Sequence, residues 1–385
     1  MALAIQPLAE AFAGEVSAYK AELGDSPLAR LHVIVKTTPG QIPKYDTDKL
    51  EARMAEAARS WSDLMGDALV AAHGEETGLE PSRRYAAAFP PGHRERFAAA
   101  DVVADVARIE DALESDALGM NLYKPPGTPA HRFRFKIYRR RQPVPLSDIL
   151  PMLEHLGLKV MDQFPQTIHP RGADLVMIHD FGLETRDGSK VDVDAVRGNF
   201  HDVFGRVWRG EVESDGFNGL VLQAGLSWRE VVILRAYCKY LIQARVSMAQ
   251  DIMEQTLAKH SQLTGCIVEL FMAKFDPKGG KLAKGRATRI LKRLNAGLDA
   301  VESAFEDGIL RLFIDMVDAT LRTNFFQVAA DGGPKPYVSI KIDSKKLEFL
   351  PKPRPWREIF VYSPRVEGVH LRFGMVARGG LRWSD

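Results

Sequence analysis

Hydrophobic positions recur with a helical period at the start of the chain and with a strand period soon afterwards. Apolar residues three or four positions apart predict a helix over residues 1–28. The segment RLHVIVK, Arg30–Lys36, predicts a strand. A second amphipathic helix follows, and Asp48 is a candidate N-cap for it. We expect this first set of elements to end between Gly78 and Pro91, where glycine and proline cluster.

The next stretch predicts a sheet that is covered by helices. Apolar and basic residues alternate over residues 131–138, with Phe133, Phe135 and Ile137 on one face and Arg132, Arg134 and Lys136 on the other. This pattern predicts a strand with one buried and one solvated face. The spacing of apolar residues in the flanking segments predicts strands over residues 120–123, 158–164 and 175–181. It predicts helices over residues 146–156 and 194–208. The order of these elements favours helices packed on one face of an antiparallel sheet.

From Glu211 onward the apolar residues recur almost entirely at helical spacing. Ser227 is the predicted N-cap of the helix WREVVILRAYCKYLIQ. Glycine and proline end the helices near residue 333, and strands are expected from Tyr337. The last stretch alternates again from Val366 to Met375 and predicts a strand hairpin. The fold class that these patterns predict is α+β.

A candidate ligand site lies directly after this hairpin. Arg378 and Arg382 flank the pair Gly379-Gly380. Glycine lets the backbone adopt positive φ and lets a ligand approach without a Cβ in the way, and a planar guanidinium suits bidentate binding of a carboxylate. The alternative is a turn whose arginines lie in solvent, which the residues alone favour. A strand and a glycine turn so close to Asp385 also suggest a piece of a longer protein.

Composition narrows the class of protein. The chain has 52 basic and 50 acidic side chains, a net charge of +2, so we expect neither nucleic acid nor a membrane as a partner. The two cysteines, Cys238 and Cys266, fit a reducing compartment and no disulfide framework. The first residues lack the basic region of a signal peptide, and no apolar run reaches the roughly 18 residues of a membrane span. We therefore expect a cytoplasmic protein.

Two basic segments are candidate anion sites, each with a simpler explanation that we favour. The sequence GKLAKGRA, residues 280–287, has the glycine spacing of a phosphate-binding loop, but Arg286-Ala287 replaces Lys-Ser/Thr. A solvated loop explains it as well. Arg139, Arg140 and Arg141 follow a strand, where they either bind an acidic effector or keep an exposed strand end soluble.

The remaining candidates also have structural explanations that we favour. His169, His179 and His201 lack close metal-ligand spacing, and we expect no metal site. His179 is predicted to be buried and hydrogen-bonded. Cys238 is predicted to lie in the core. The sequence Trp228-Arg229-Glu230 opens a helix and is more typical of interface packing than of chemistry.

Several blocks of the chain resemble the large NAD-dependent glutamate dehydrogenases of bacteria. They are Ser26–Gly40, Glu211–Leu241, Ala319–Gln327, Lys335–Asp343 and the stretch Phe360–Asp385. The resemblance covers nearly the whole chain. It implies ACT-like α/β sandwich units over residues 1–90 and 91–210, a helical domain over 211–330 and the start of the catalytic domain over 331–385. ACT-like domains are small regulatory folds that often bind amino acids.

The resemblance also implies a function and a site. The intact enzyme would oxidise L-glutamate to 2-oxoglutarate and ammonia with NAD, a step of amino-acid catabolism. Arg378 stands where compact members of the family have a lysine that contacts the side-chain carboxylate of the substrate. Arg378, Gly379, Gly380 and Arg382 are therefore the expected substrate-binding residues. The catalytic lysine and the NAD-binding region are expected beyond Asp385, so we expect no catalytic residue within the chain and no activity from the chain alone.

Partners follow from the same resemblance. We expect glutamate and 2-oxoglutarate as ligands, an amino acid as a possible effector, and a homo-oligomer. A hypothesis of another class stays open at this point. The chain would then be a stand-alone amino-acid-sensing or assembly module without enzyme activity, and it would bind an amino acid through residues 90–210.

Overall fold

A computed structural model describes residues 2–22, 30–40, 43–57, 59–115, 117–375 and 381–384. The backbone forms two compact units. The first comprises Met1–Ser115 with Gln166–Val176, and the second comprises Asp116–Pro165 with Met177–Asp385. Helices and antiparallel sheets occur together, which confirms the predicted α+β class. Among the described residues, no helix is long and apolar enough to span a bilayer.

The first unit begins with a helix and a strand hairpin. Helix α1 (Ala2–Ala11) precedes the antiparallel strands β1 (Glu15–Glu22) and β2 (Arg30–Lys36). The prediction of β2 is confirmed, but the prediction of one helix over residues 1–28 is wrong over β1, and its last part, 23–28, lies outside the described residues. Residues Glu15–Glu22 gain hydrogen bonds to β2 as a strand, whereas an isolated helix of these 8 residues would be only marginally stable in water. Gly14 permits the close approach, because a Cβ there would lie 2.6 Å from a backbone oxygen of β2's last residue.

Helices complete the first unit. They are α2 (Thr47–Ala57), α3 (Trp61–His73), α4 (Glu75–Tyr85), α5 (Pro91–Arg96) and α6 (Val102–Ser115). Asp46, not the predicted Asp48, caps α2 by accepting a hydrogen bond from the backbone of Lys49 at 3.2 Å. Gly78 lies inside α4 and not in a connection. A Cβ on Gly78 would lie 2.6 Å from the Cα of Val70, so this glycine lets α3 and α4 pack closely.

The next elements form a four-stranded sheet with two helices. They are β3 (Gly119–Tyr123), β4 (Arg132–Arg140), α7 (Leu146–His155), β5 (Leu158–Ile168), β6 (Val176–Thr185) and α8 (Val193–Trp208). The strand order is β3-β4-β6-β5. The apolar face of β4 packs on α8, where the Phe135 ring lies 4.9 Å from the rings of both Phe200 and Phe204.

The basic face of β4 is exposed at Arg132, as predicted, but differs from the prediction at Arg134 and Lys136, which are largely buried. Lys136 is only 3% exposed, and its ammonium lies 5.1 Å from the ring of Tyr123 on β3. Arg134 donates from Nε to Asp180 and from Nη2 to Asp162, each at 2.9 Å. Asp180 on the neighbouring strand β6 and Asp162 on β5, the strand beyond it, make this burial of charge tolerable. Alternation along one strand does not reveal such partners.

Helices then dominate up to residue 319. They are α9 (Leu220–Gln223), α10 (Trp228–Gln243), α11 (Gln250–Lys259), α12 (Ser261–Phe275), α13 (Ala283–Leu298) and α14 (Ala304–Ala319). The predicted cap of α10 is confirmed as a capping box. The hydroxyl of Ser227 accepts from the backbone of Glu230, whose carboxylate accepts from the backbone of Ser227 at 2.8 Å. Every residue of α10 from Val231 to Cys238 is buried, so this helix lies at the centre of its unit.

A charged side chain is buried within α10. Arg235 is 0% exposed, and its guanidinium donates from Nε and Nη2 to the two oxygens of Asp215 at 2.6 and 2.7 Å. Nη2 also donates to the side chain of Asn218 at 2.8 Å. This bidentate pair joins α10 to the segment that precedes α9.

The last strands form a five-stranded antiparallel sheet in the order β11-β10-β9-β8-β7. They are β7 (Thr320–Thr323), β8 (Val338–Ile342), β9 (Arg357–Ser363), β10 (Val366–Arg372) and β11 (Leu381–Ser384). The predicted hairpin is confirmed as β9 and β10. Two tyrosines of α10 bond to this sheet: Tyr237 to Thr320 at 2.8 Å, and Tyr240 to Glu358.

The buried pair generates a prediction about stability. We expect Asp215→Asn to lower the free energy of unfolding by about 3–5 kcal/mol, because the change leaves the Arg235 guanidinium buried without its counter-ion. Urea unfolding monitored by circular dichroism measures this loss. Glu154→Gln is the matched control. Its carboxylate pairs with Arg186 where both side chains are more than half exposed, so the change is expected to cost no more than about 1 kcal/mol. Equal small losses for the two variants would contradict the prediction.

Candidate functional site

The predicted substrate site lies in the connection between β10 and β11. Arg378, Gly379 and Gly380 fall outside the described residues. Arg382 lies in β11, where its Cα is paired with that of Val369 on β10. The register therefore fixes where the connection leaves and rejoins the sheet, and the assignment of these four residues to substrate binding stays a prediction.

The register also shows which end of the sheet carries the connection. Arg372, the last residue of β10, is paired with Arg357, the first residue of β9. Ile342, the last residue of β8, is paired with Glu358. The diglycine connection thus begins at the end of the sheet that carries Arg357 and Glu358. We call this the Arg357 end, and the opposite end, marked by the β9–β10 turn, the Pro364 end.

Two charges at the Arg357 end have internal partners, whereas Arg372 forms no ion pair among the described residues and its buried Nε has no hydrogen-bond partner. Arg357 donates from Nη1 to Asp343 at 2.5 Å, and its guanidinium lies 4.9 Å from the ring of Trp356. Glu358 is 5% exposed and accepts hydrogen bonds from Tyr240 and, at 3.0 Å, from Ser344. Burial, and then the charge of Glu358, raises the pKa of Tyr240 above its usual range, so its phenol remains a donor. These groups hold the strand ends in place.

A cavity of about 310 Å³ opens beside the connection. Apolar side chains, among them Leu350, Leu371 and Phe373, line much of it, and Glu358 is the buried acid at its wall. Arg245 also lines it, so the cavity presents one base and one acid beside its apolar wall. The binding of a substrate carboxylate by the arginines of the connection stays a prediction.

A larger cavity, of about 700 Å³, lies at the Pro364 end of the sheet. It is lined by the first turn of α10, which contains Trp228 and Arg229, by the loop before β8 and by the β9–β10 turn. Packing was the predicted role of Trp228 and Arg229, and the cavity was not predicted from the sequence. The sequence shows only an arginine, Arg229, at the start of an apolar helix. Such an arginine does not by itself indicate a pocket.

The histidines behave as structural residues. The backbone N–H of Val144 donates to Nε2 of His179 at 3.4 Å, and Nδ1 bonds to the amide of Gln163 at 2.7 Å. Burial lowers the pKa of His179, as expected of a neutral buried imidazole. His201 accepts from the backbone of Leu122 at 2.9 Å. Within the described ranges, no group of three potential ligands is arranged to hold a metal ion.

The basic segments have local roles. The GKLAKGRA segment follows helix α12 and not a strand, so it lacks the architecture of a phosphate-binding loop. Before it, Lys274 donates to the backbone oxygens of Val317 and Asp318 at 2.9 and 2.8 Å, which satisfies the end of α14. Arg139 donates to Gln142 at 3.0 Å. Its guanidinium also lies 5.3 Å from the ring of Trp208.

Cys238 lies in the core, as predicted. It is 0% exposed, and burial raises the pKa of its thiol above the usual range. A buried, protonated thiol is unreactive.

Comparison with protein families finds five consecutive matches. Residues 3–62 match the glutamate dehydrogenase ACT2 domain, 68–112 helical motif 2, 117–196 the ACT3 domain and 212–277 helical motif 3. Residues 293–385 match the catalytic domain of bacterial NAD-glutamate dehydrogenase. The cavity at the Pro364 end is therefore bordered by residues of helical motif 3 and of the catalytic-domain match.

Curated relatives agree with these matches. The chain is 40% identical over 363 residues to an NAD-specific glutamate dehydrogenase of Halomonas elongata, 38% over 364 residues to one of Pseudomonas aeruginosa, and 34% over 398 residues to one of Mycobacterium tuberculosis. The alignments cover 94–98% of this chain but only 22–24% of the relatives. The chain is therefore similar, along most of its length, to a part of the bacterial NAD-specific glutamate dehydrogenases and spans about a quarter of those relatives.

Proposed function

We propose that this chain is part of an NAD-dependent glutamate dehydrogenase. The reaction converts L-glutamate, NAD⁺ and water to 2-oxoglutarate, ammonium, NADH and a proton. NAD⁺ would supply the oxidant of this reaction when bound. The observation that carries the proposal is the catalytic-domain match over residues 293–385, preceded by the ACT and helical motifs in one continuous order.

Within that reaction, the role of this chain is to bind the substrate. Arg378 binds the side-chain carboxylate of glutamate, Gly379 and Gly380 let the ligand approach the backbone, and Arg382 steadies the turn. An ion pair at about 4 Å is worth about 1 kcal/mol in water and about 4 kcal/mol at an effective dielectric constant of about 20. Closure of the site around glutamate would therefore give most of the binding energy of this contact.

NAD does not fit the described part of this chain. Dinucleotides bind at the carboxyl ends of parallel strands beside a glycine-rich turn. The strand pairs whose register is defined among the described residues are antiparallel. We therefore derive no step through NAD here, and we assign its binding to a region outside these residues.

The remaining roles follow the same proposal. The segments that match ACT domains bind an amino-acid effector or assemble the protein into a homo-oligomer, and the enzyme acts in the cytoplasm. Motif matches to ACT2 and ACT3 support the first part of this assignment. The even balance of charge supports a protein that works on small metabolites.

A chimeric enzyme tests the proposal. We expect no glutamate-dependent NADH formation from residues 1–385 alone, because the proposed NAD site lies elsewhere. We expect activity when this chain replaces the matching 364-residue region of the Pseudomonas aeruginosa relative. NADH absorbance measures both, with the unmodified relative as control. Activity of the isolated chain, or a folded chimera without activity, would contradict the proposal.

The proposed role of Arg378 is tested in the same chimera. Arg378→Ala should raise KM for glutamate by roughly 10- to 100-fold, because one hydrogen-bonded ion pair to the substrate is lost. Arg378→Lys should retain most of the affinity, since it keeps the positive charge. Arg311→Ala is the matched control, because this arginine is exposed and bonds to Asp307 within its own helix. Equal KM values for Arg378→Ala and the control would rule the role out.

A further inference from the structure

The cavity at the Pro364 end of the C-terminal sheet carries an unusual excess of positive charge. Five basic side chains and two carboxylates line it. Two of the cations are neutralised. Arg206 pairs with Asp202 and Glu211 at 2.8 and 2.9 Å, and Arg235 pairs with Asp215.

The other three cations, Arg229, Lys335 and Arg365, form no ion pair within the described part of the chain. The second acid of the lining, Asp331, accepts a hydrogen bond from the backbone of Gly333 at 2.9 Å. A backbone hydrogen bond does not neutralise a carboxylate, so Asp331 offsets one of these charges. The three cations come from three separate elements and leave the cavity with an excess of two positive charges.

Arg229 has the strongest need for a counter-ion. It is half-buried, its Nε has no hydrogen-bond partner, and its Nη2 reaches only the backbone oxygen of Phe325 at 3.4 Å. Burial, and then the nearby charge of Arg206, lowers the pKa of Arg229 to about 10, which leaves it charged at neutral pH. Burial of an unpaired cation destabilises a protein. An anion that enters the cavity would remove this cost.

The walls of the cavity add apolar and aromatic surface. Trp228 stands beside Arg229 and carries the guanidinium of Arg206 over its ring at 4.1 Å. Val232, Val338 and Val361 contribute aliphatic side chains, and Tyr337 is 41% exposed. A volume of about 700 Å³ lies within the range of small-molecule sites. Such a lining suits an organic molecule better than a bare inorganic ion.

We propose that this cavity binds a small organic polyanion with two or more carboxylate or phosphate groups. Arg229, Lys335 and Arg365 are its counter-ions, and the valines and aromatic rings contact its carbon skeleton. Strand β9 separates this site from the Arg357 end of the sheet by about 20 Å, given about 3.3 Å per residue. The cavity thus lies at the opposite end of the sheet from the point where the diglycine connection leaves it, and the proposal does not depend on the proposed dehydrogenase activity.

Thermal unfolding of the 385-residue chain tests the proposal. Citrate represents the polycarboxylates and inorganic pyrophosphate the phosphates, and sodium chloride of equal ionic strength is the reference. We expect at least one of the two probes to raise the unfolding midpoint with a saturable dependence on concentration. The probe that raises the unfolding midpoint identifies the anionic group, carboxylate or phosphate. No saturable rise with either probe would overturn the proposal.

Variants then locate the site. The double variant Lys335→Gln, Arg365→Gln changes side chains that lie in a loop and a turn, so the fold is expected to persist. We expect it to weaken binding at least tenfold, because two charged contacts are lost. Arg293→Gln together with Arg311→Gln is the matched control, since it removes the same charge from α13 and α14 outside the cavity lining. Equal loss in both double variants would show that the anions act on net charge, which would overturn the proposal.

Arg229→Met provides an independent readout. It should raise the unfolding midpoint of the free chain, by roughly 2–4 °C if the unpaired charge costs about 1 kcal/mol. It should also abolish the response to the anion. A lower midpoint of the free chain, with the anion response intact, would mean that Arg229 serves packing alone and would overturn its role. A response that is present in this chain but absent from a longer protein that contains it would likewise overturn the proposal, since another segment would then fill the cavity.

Discussion

The buried pair of Arg235 and Asp215 is the interaction on which the second unit most depends. Helix α10 is enclosed by other elements, and an arginine at its centre is tolerated only because a carboxylate meets it in bidentate geometry. Next to this pair, Lys239 bonds to Glu213, and Glu213 accepts from Tyr362 of β9 at 2.9 Å. A short chain of polar contacts therefore fixes α10 against the sheet and leaves one register between them.

This arrangement places two different surfaces at the ends of one sheet. At the Arg357 end, Tyr240 of α10 bonds to Glu358, and Arg357 pairs with Asp343. At the Pro364 end, the first turn of α10 exposes Arg229 to a cavity without a carboxylate partner. One helix thus contacts the frame of the predicted substrate site and lines the proposed anion site. Any change in the position of α10 on ligand binding would be felt at both ends.

Much of the fold was predictable from the sequence, because local signals and packing agree there. The capping box at Ser227 and the strands β2, β4 and β10 are examples. Predictions failed where a distant partner decided the outcome. Strand β1 forms because β2 lies beside it, and Arg134 of β4 is largely buried because Asp180 on β6 and Asp162 on β5 bond to it. Periodicity describes one segment at a time and carries no information about such partners.

The candidate sites were likewise predictable only in part. Arg378 and Arg382 were found because they flank two glycines in a single short stretch. The cavity with Arg229, Lys335 and Arg365 was missed because its three cations come from segments far apart in sequence.

The proposed function depends on the contact between Arg378 and the substrate. An experimental structure of the chimeric enzyme with glutamate bound would test it most directly. We expect the guanidinium of Arg378 within hydrogen-bond distance of the side-chain carboxylate of glutamate, whereas an Arg378 paired only with carboxylates of the protein would contradict the account.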